Sequence, residues 1–236
     1  MTALAGARVV VTGGAGTIGS HLVDAAIAEG AREVVALDAM VRGVPENLAG
    51  ALATGRARLV GVDIRDREAV RANIEGADVV FHQAALRWTR CQENPRECQE
   101  VMVRWLDLID QGKPLVIFGD GSASTDFVYV GDAVRANVLA CVSDARAAIV
   151  NVCSGIESRM KDVAELLLEI TGSGVGIELR PQPAGALPAR RYGDPRRAEA
   201  VLGFRATTTL REGLTRLIDW RRRALGANEL RAEAAQ

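Results

Sequence analysis

Three glycines spaced as Gly13-x-x-Gly16-x-x-Gly19 follow the apolar run Val9-Val10-Val11 and open a helical pattern. Those residue types in that order suit the grip of a pyrophosphate. Gly13 permits a sharp turn, Gly16 lets a phosphate approach the backbone, and Gly19 allows the helix to pack close to the strand. Thr17 and Ile18 carry the chain into the helix, whose unpaired N–H groups and positive dipole end both favour an anion. Asp38 stands nineteen positions after Gly19. There a carboxylate accepts the ribose hydroxyls of NAD and repels the additional 2′-phosphate of NADP. The bland alternatives are a tight connection for the glycines and a helix cap or turn for Asp38. The combination favours NAD as the cofactor.

The surrounding pattern supplies elements that would hold these residues. His21 to Glu29 has apolar residues at helical spacing and stops at Gly30, and Glu33-Val34-Val35-Ala36-Leu37-Asp38 reads as a second strand. A third strand is expected at Ala57 to Gly61 and a helix at Arg65 to Ile74. A fourth strand, Ala77 to His82, leads into Gln83-Ala84-Ala85, whose small residues leave space for the nicotinamide half of a cofactor. Uninterrupted valines fit strands covered on both faces. Successive βα units with right-handed crossovers imply an α/β fold, a Rossmann-like doubly wound parallel sheet. Later segments predict a hairpin of Leu115 to Phe118 with Asp126 to Val130, a helix from Asp132 to Val142 and a strand at Ile149 to Val152. A helix from Ser158 to Ile170 ends at Gly172, and a strand follows at Ile177 to Arg180. The expected organisation is a cofactor-binding lobe over 1–112 and a smaller C-terminal α/β lobe over 113–236, together one compact unit.

Composition narrows the function classes. With 236 residues, 48% of them hydrophobic and 25% charged, the chain fits an ordinary globular protein, and no apolar stretch reaches membrane-spanning length. A net charge of −1 argues against a nucleic-acid partner, which needs clustered cations. Cys91, Cys98, Cys141 and Cys153 have no CxxC spacing and there are two histidines, so no metal site is expected. Reduced cysteines and a first strand close to the N-terminus, leaving no room for a signal peptide, point to a cytoplasmic location. Trp220 to Arg223 and Glu229 to Gln236 read as a helix end and a solvated tail.

Taken together, these motifs resemble the extended short-chain dehydrogenase/reductase family, the NAD-dependent epimerase/dehydratase group that acts on nucleotide sugars. Thr12-Gly13-Gly14-Ala15-Gly16-Thr17-Ile18-Gly19 is similar to its glycine motif, Asp63-Ile64 to its adenine-side pair and Phe81-His82-Gln83-Ala84-Ala85 to its fourth-strand signature. Phe118 to Ser122, Asp126 to Val130, Asp132, Asn151 to Gly155 and Leu202 to Trp220 continue the likeness over nearly the whole chain. The resemblance implies cofactor contacts at Gly13, Gly16, Thr17, Ile18, Gly19, Asp38, Asp63, Ile64, Ala84 and Ala85. It also implies a nucleotide-sugar substrate whose diphosphate meets an arginine near Arg190 and Arg191, although a solvated basic turn explains that pair as well.

The likeness breaks in the middle. The family carries its chemistry on a Tyr-x-x-x-Lys helix between the fourth strand and the Gly-Asp-Gly-Ser segment. Here Glu97 to Gln111 reads as one helix spanning that interval, and about a hundred residues of a typical member are missing. The only tyrosines are Tyr129 and Tyr192. The residues four positions on are Ala133 and Arg196, so neither forms the motif, and no catalytic residue is assigned. His82 and Asp126 are the nearby titratable groups. Three readings follow. The chain is an epimerase or dehydratase, or it is a non-catalytic NAD-binding relative kept as a partner or sensor, or the sequence omits part of a longer chain. The lost strands would also leave a sheet edge beside the fourth strand, with Val79 and Phe81 exposed, so a homo-oligomer is expected.

Overall fold

The computed structural model describes residues 4–85, 101–182 and 190–234, with side chains described to residue 223. The order of elements in the first part is β1 (Arg8–Thr12), α1 (Thr17–Ala28), β2 (Glu33–Asp38), a 3-10 turn (Pro45–Leu48) leading into α2 (Ala49–Ala53), β3 (Ala57–Gly61), α3 (Arg67–Ile74) and β4 (Val79–His82). After α4 (Val101–Asp110) and β5 (Leu115–Phe118) come β6 (Ser124–Asp126), α5 (Val130–Val142), β7 (Glu157–Arg159), α6 (Met160–Thr171), β8 (Ile177–Arg180), β9 (Arg190–Arg191), α7 (Arg196–Leu202) and α8 (Leu210–Ala234).

Two compact units result, each discontinuous in sequence. The first contains residues 1–87, 130–150 and 197–204, and the second contains 88–129, 151–196 and 205–236. The units differ from a single division after residue 112 because α5 returns to the first. Val134 of α5 is buried in the core that also holds Leu22, Val23 and Ala26 of α1.

In the first unit a parallel sheet runs in the order β3-β2-β1-β4. Side chains alternate between its faces, as a pleated strand requires. Val9, Val11, Val34 and Ala36 enter the core with α1, whereas Val10, Val35 and Leu37 pack on the other face with Val60, Ile74 and Ala77. Helices therefore cover both faces, the doubly wound arrangement expected. β4 pairs with β1 alone among the described residues. Its exposed apolar side chain is Val80, 49% accessible, whereas Phe81 is 7% accessible because it faces the α1 core. That corrects the expectation that Phe81 lies bare at the edge.

The second unit holds a two-stranded parallel sheet, β5-β8, and a three-stranded sheet, β7-β6-β9. β5 pairs with β8 and β6 with β7 and β9, so the expected hairpin between 115–118 and 126–130 does not form. Residues 127–129 lie outside any strand and α5 begins at Val130. The predicted strand at Ile149 to Val152 is likewise absent. That segment has no ladder partner among the described residues, and Ile149 is 83% exposed. The helix expected over 158–170 forms as α6, with apolar residues at helical spacing turned to the core. Val163 and Leu167 are buried against Trp105, Leu115 and Leu214, and Gly172, in the left-handed region at φ 68°, ends the helix. α8 continues to Ala234, past the helix end read near Trp220, through residues with good helix propensity such as Ala224, Leu225 and Leu230. Arg221, largely buried, ties it to Asp107 at 2.6 Å and Asp110 at 2.7 Å. Residues 97–100 of the expected helix before β5 lie outside the described residues, as do Cys91 and Cys98.

β9 is fixed by Glu157, whose carboxylate receives Arg190 through three contacts of 2.7 to 3.0 Å and also accepts from Ser124. The Arg190 guanidinium, then the Ser124 hydroxyl, hold the Glu157 carboxyl down to about 2 from an ordinary 4.5. A carboxyl lowered in the folded state stabilises above its unfolded value and loses that stabilisation as pH falls through its folded value. The melting-temperature gap between the wild type and Glu157→Gln should be full above about pH 4.5 and close toward pH 2, measured by circular dichroism. A gap constant across that range would mean the pair contributes nothing in solution.

Candidate dinucleotide site

The carboxyl ends of β1, β2, β3 and β4 bring most of the sequence-derived candidates to one edge of the first sheet. Sheet order reverses between β1 and β4, and the crevice outside strand ends at such a switch point is where open α/β sheets take ligands. Gly13 to Gly19 follow β1, Asp38 ends β2, Asp63 and Ile64 follow β3, and Ala84 and Ala85 follow β4. Arg190 and Arg191 belong to the second unit.

The glycines have different duties. A Cβ on Gly13 would lie 2.8 Å from the Ala84 nitrogen, and the residue adopts φ 68°. On Gly14 it would lie 2.6 Å from the Ala36 Cβ, and on Gly19 2.0 Å from the Gly13 carbonyl oxygen. Those three positions are demanded by the packing of the turn, Gly14 being one that motif spacing did not single out. Gly16 is different. Its added Cβ would meet only the Gly13 carbonyl oxygen, at 3.2 Å, and its backbone at φ −79°, ψ 176° suits any residue. The fold scarcely needs a glycine there, so the bare position leaves space for something outside the chain.

What that space faces is polar. Gly16 is the N-cap of α1 and supplies no side-chain cap, and no acidic residue stands in the first turn. The Gly16 amide donates to Gly13 and the Ser20 amide to Gly16, whereas the amides of Thr17, Ile18 and Gly19 have no acceptor among the described residues. Orphan donors at the positive end of a helix dipole, beside a gap that a Cβ would fill, fit a pyrophosphate.

Asp38 sits against this turn. One carboxylate oxygen accepts from the Ala15 amide at 3.0 Å and the other from the Met40 amide at 2.8 Å. Each oxygen retains a lone-pair site for a ribose hydroxyl. Asp63 is half-buried and embraced by Arg65 at 2.6 to 3.1 Å, hydrogen bonding that draws its carboxyl down to about 2. Ile64 beside it is exposed.

At the switch point, Thr12 Oγ1 accepts from the Ala84 amide at 3.2 Å and lies 2.6 Å from His82 Nδ1. The Thr12 hydroxyl and His82 Nδ1 are hydrogen-bonded, the hydroxyl donating or accepting according to the His82 tautomer. Gln83 is anchored in turn, its side chain donating to Asn137 at 3.0 Å. Asp126, the other titratable candidate, accepts from the Ser154 amide and hydroxyl at Oδ1 and from the Gly155 amide at Oδ2, at 2.6 to 2.9 Å. Tyr129 lies under the Arg216 guanidinium, 4.9 Å from its centre, a packing role.

The arginine pair divides its work. Parallel pairing sets Ser124 beside Arg190 and Thr125 beside Arg191, so the two side chains emerge on opposite faces of the strand. Arg190 is committed to Glu157, while Arg191 donates to the Thr125 hydroxyl at 3.2 Å and has no carboxylate partner among the described residues. Among the described residues no group of three or more metal-ligating side chains occurs, and no helix is long and apolar enough to cross a membrane.

The division of duties among the glycines has a measurable outcome. Gly16→Val should melt near the wild type and lose NAD binding in calorimetry, whereas Gly19→Ala should lose about 1–3 kcal/mol or more of stability by overpacking the turn. Undiminished affinity in Gly16→Val would make this segment a turn and nothing more.

The same chain matches known proteins over most of its length. The model of the NAD dependent epimerase/dehydratase family matches residues 9–103 and 92–153. A Methanocaldococcus jannaschii protein assigned as a UDP-glucose 4-epimerase is 25% identical over 308 positions, covering 90% of this chain and 97% of its own. UDP-glucuronic acid decarboxylase 1 of Arabidopsis thaliana is 24% identical, covering 94% and 72%. An alignment of 308 positions exceeds this chain's 236 residues, so a block of the relative's positions faces gaps, in keeping with the internal loss read from the sequence. Among solved structures, an epimerase of Methanothermobacter thermautotrophicus superposes with a TM-score of 0.85 at 21% identity, covering 95% of each chain. The dTDP-glucose 4,6-dehydratase of Streptomyces venezuelae, solved with NAD, gives 0.84 at 20%, covering 93% and 98%. With the family model spanning more than half of its residues, the chain is a member of the NAD dependent epimerase/dehydratase family.

Proposed function

We propose that this protein binds NAD and a nucleotide sugar but lacks the family's proton-transfer pair, so that binding survives where catalysis is weak. In this reading Gly13, Gly16, Thr17, Ile18 and Gly19 take the pyrophosphate and Asp38 the adenosine ribose. Asp63 and Ile64 border the adenine, and Ala84 and Ala85 lie along the nicotinamide half. Arg191, with no carboxylate partner among the described residues, meets the diphosphate of the sugar nucleotide, and Arg190 holds β9 through Glu157. The observation that carries the reading is the vacant Cβ position at Gly16 beside three amides with no acceptor. The curated relatives' names, a UDP-glucose 4-epimerase and a UDP-glucuronic acid decarboxylase, support the substrate class.

Bound NAD supplies a hydride acceptor to such a reaction. The chain must supply a base for the sugar hydroxyl. No Tyr-x-x-x-Lys occurs in the sequence, His82 Nδ1 is hydrogen-bonded to Thr12, and Asp126 accepts three hydrogen bonds from residues 154 and 155. Loss of general-base assistance lowers rates by about a hundred- to ten-thousand-fold.

Calorimetry should give an affinity for NAD at least about tenfold above that for NADP, with the preference relaxed in Asp38→Ala. Incubation with NAD and a panel of UDP-, dTDP- and GDP-sugars should yield product at rates about a hundredfold or more below those of an intact family member, followed by chromatography. Equal affinities would remove the role of Asp38, and turnover at rates ordinary for the family, lost on substituting His82 or Asp126, would identify a replacement base.

The reading extends to assembly. Among the described residues β4 pairs on one side only, and its Val80 is half-exposed, so self-association is expected. Light scattering at micromolar concentration should give a species larger than one chain, and a strict monomer would contradict this.

A further inference from the structure

The proposed site leaves unexplained why residues 40–47 lie as they do. Asn47, in the 3-10 turn Pro45–Leu48, donates its side-chain amide to the Ala15 carbonyl at 2.8 Å, across 32 residues of sequence. The Val44 amide donates to the same oxygen at 3.2 Å. On the other side of the residue, the Ala15 amide is taken by Asp38. Gly43 closes against both: a Cβ there would lie 2.7 Å from the Ala15 Cβ and 2.8 Å from Asp38 Oδ2. Met40, whose amide holds the second Asp38 oxygen, has a φ of 57°, a left-handed value that a non-glycine residue keeps only where its surroundings impose it.

These contacts converge on one residue. Ala15 is fully buried, and both peptide groups flanking it are pinned. The Ala15 carbonyl shares a rigid peptide plane with the Gly16 amide, and Gly16 is the N-cap from which α1 starts. Rotating that plane would swing the Gly16 amide off Gly13 and tilt the amides of Thr17, Ile18 and Gly19. The Asn47 hydrogen bond therefore acts on the orientation of the phosphate-facing donors. Its neighbour Leu48 is itself fully buried in the α1 core, so the turn is anchored without the Asn47 amide.

We infer that Asn47 is a positioning residue for the dinucleotide site, setting the pyrophosphate cradle through the Ala15 carbonyl without touching the ligand. The inference rests on the NAD-binding reading above. It requires a loss confined to ligands that carry the pyrophosphate, which a merely structural role would not produce.

The test compares wild type, Asn47→Ala and Asn47→Asp for NAD and ADP-ribose by calorimetry and for adenosine by ligand-observed NMR, with melting curves for each. Removing one hydrogen bond should weaken NAD and ADP-ribose about tenfold, leave adenosine unchanged and move the melting temperature little. Asn47→Asp, which keeps the shape but sets a carboxylate against a carbonyl, should lose at least as much, and it decides the matter if Asn47→Ala does not fold. An equal loss for all three ligands, or none, would overturn the inference. A wild type that binds none of the three would instead refute the NAD-binding reading, and the inference with it.

Discussion

The closeness of β1 to α1 is the constraint from which the site follows. A Cβ on Gly19 would stand 2.0 Å from the Gly13 carbonyl oxygen, so helix and strand approach as nearly as backbone allows. That approach points the first turn of α1 at the carboxyl end of β1 and leaves its leading amides without intrahelical partners. Packing on both sheet faces holds the approach in place, through Leu22, Val23 and Ala26 on one side and Val10, Val35 and Leu37 on the other. Asp38 and Asn47 then fix the connecting residue from either side. A charged ligand is favoured here by the direction of backbone groups more than by any side-chain cation.

Strands or strand-like segments lack neighbours at two places among the described residues. β4 has one partner, and residues 149–152 have none among those described. Val80 and Ile149 are exposed at these two places, although β-branched residues there would suit a sheet interior.

Much of the first unit was legible because its signals are local. The strands Glu33–Asp38 and Ala57–Gly61 fall where alternating and apolar runs placed them, and the glycine spacing located the turn. The hairpin expected between 115–118 and 126–130 failed because β5 and β6 each found partners from distant sequence, β8 for the one and β7 and β9 for the other. The Ile149 to Val152 strand failed because propensity alone cannot supply a ladder. Asn47 carried no local signal at all, since its partner lies 32 residues away and an asparagine in a loop reads as a turn residue. The difference between Arg190 and Arg191 also needed the register, which sets neighbouring residues of β9 on opposite faces.

Amide hydrogen exchange at single-residue resolution, with and without NAD, tests the central claim most directly. If the unpaired donors at the start of α1 receive the pyrophosphate, the amides of Thr17, Ile18 and Gly19 gain protection when NAD binds, and Gly16→Val abolishes that gain. NAD binding that leaves these three amides exchanging as in the free protein, with protection appearing elsewhere, would contradict the account.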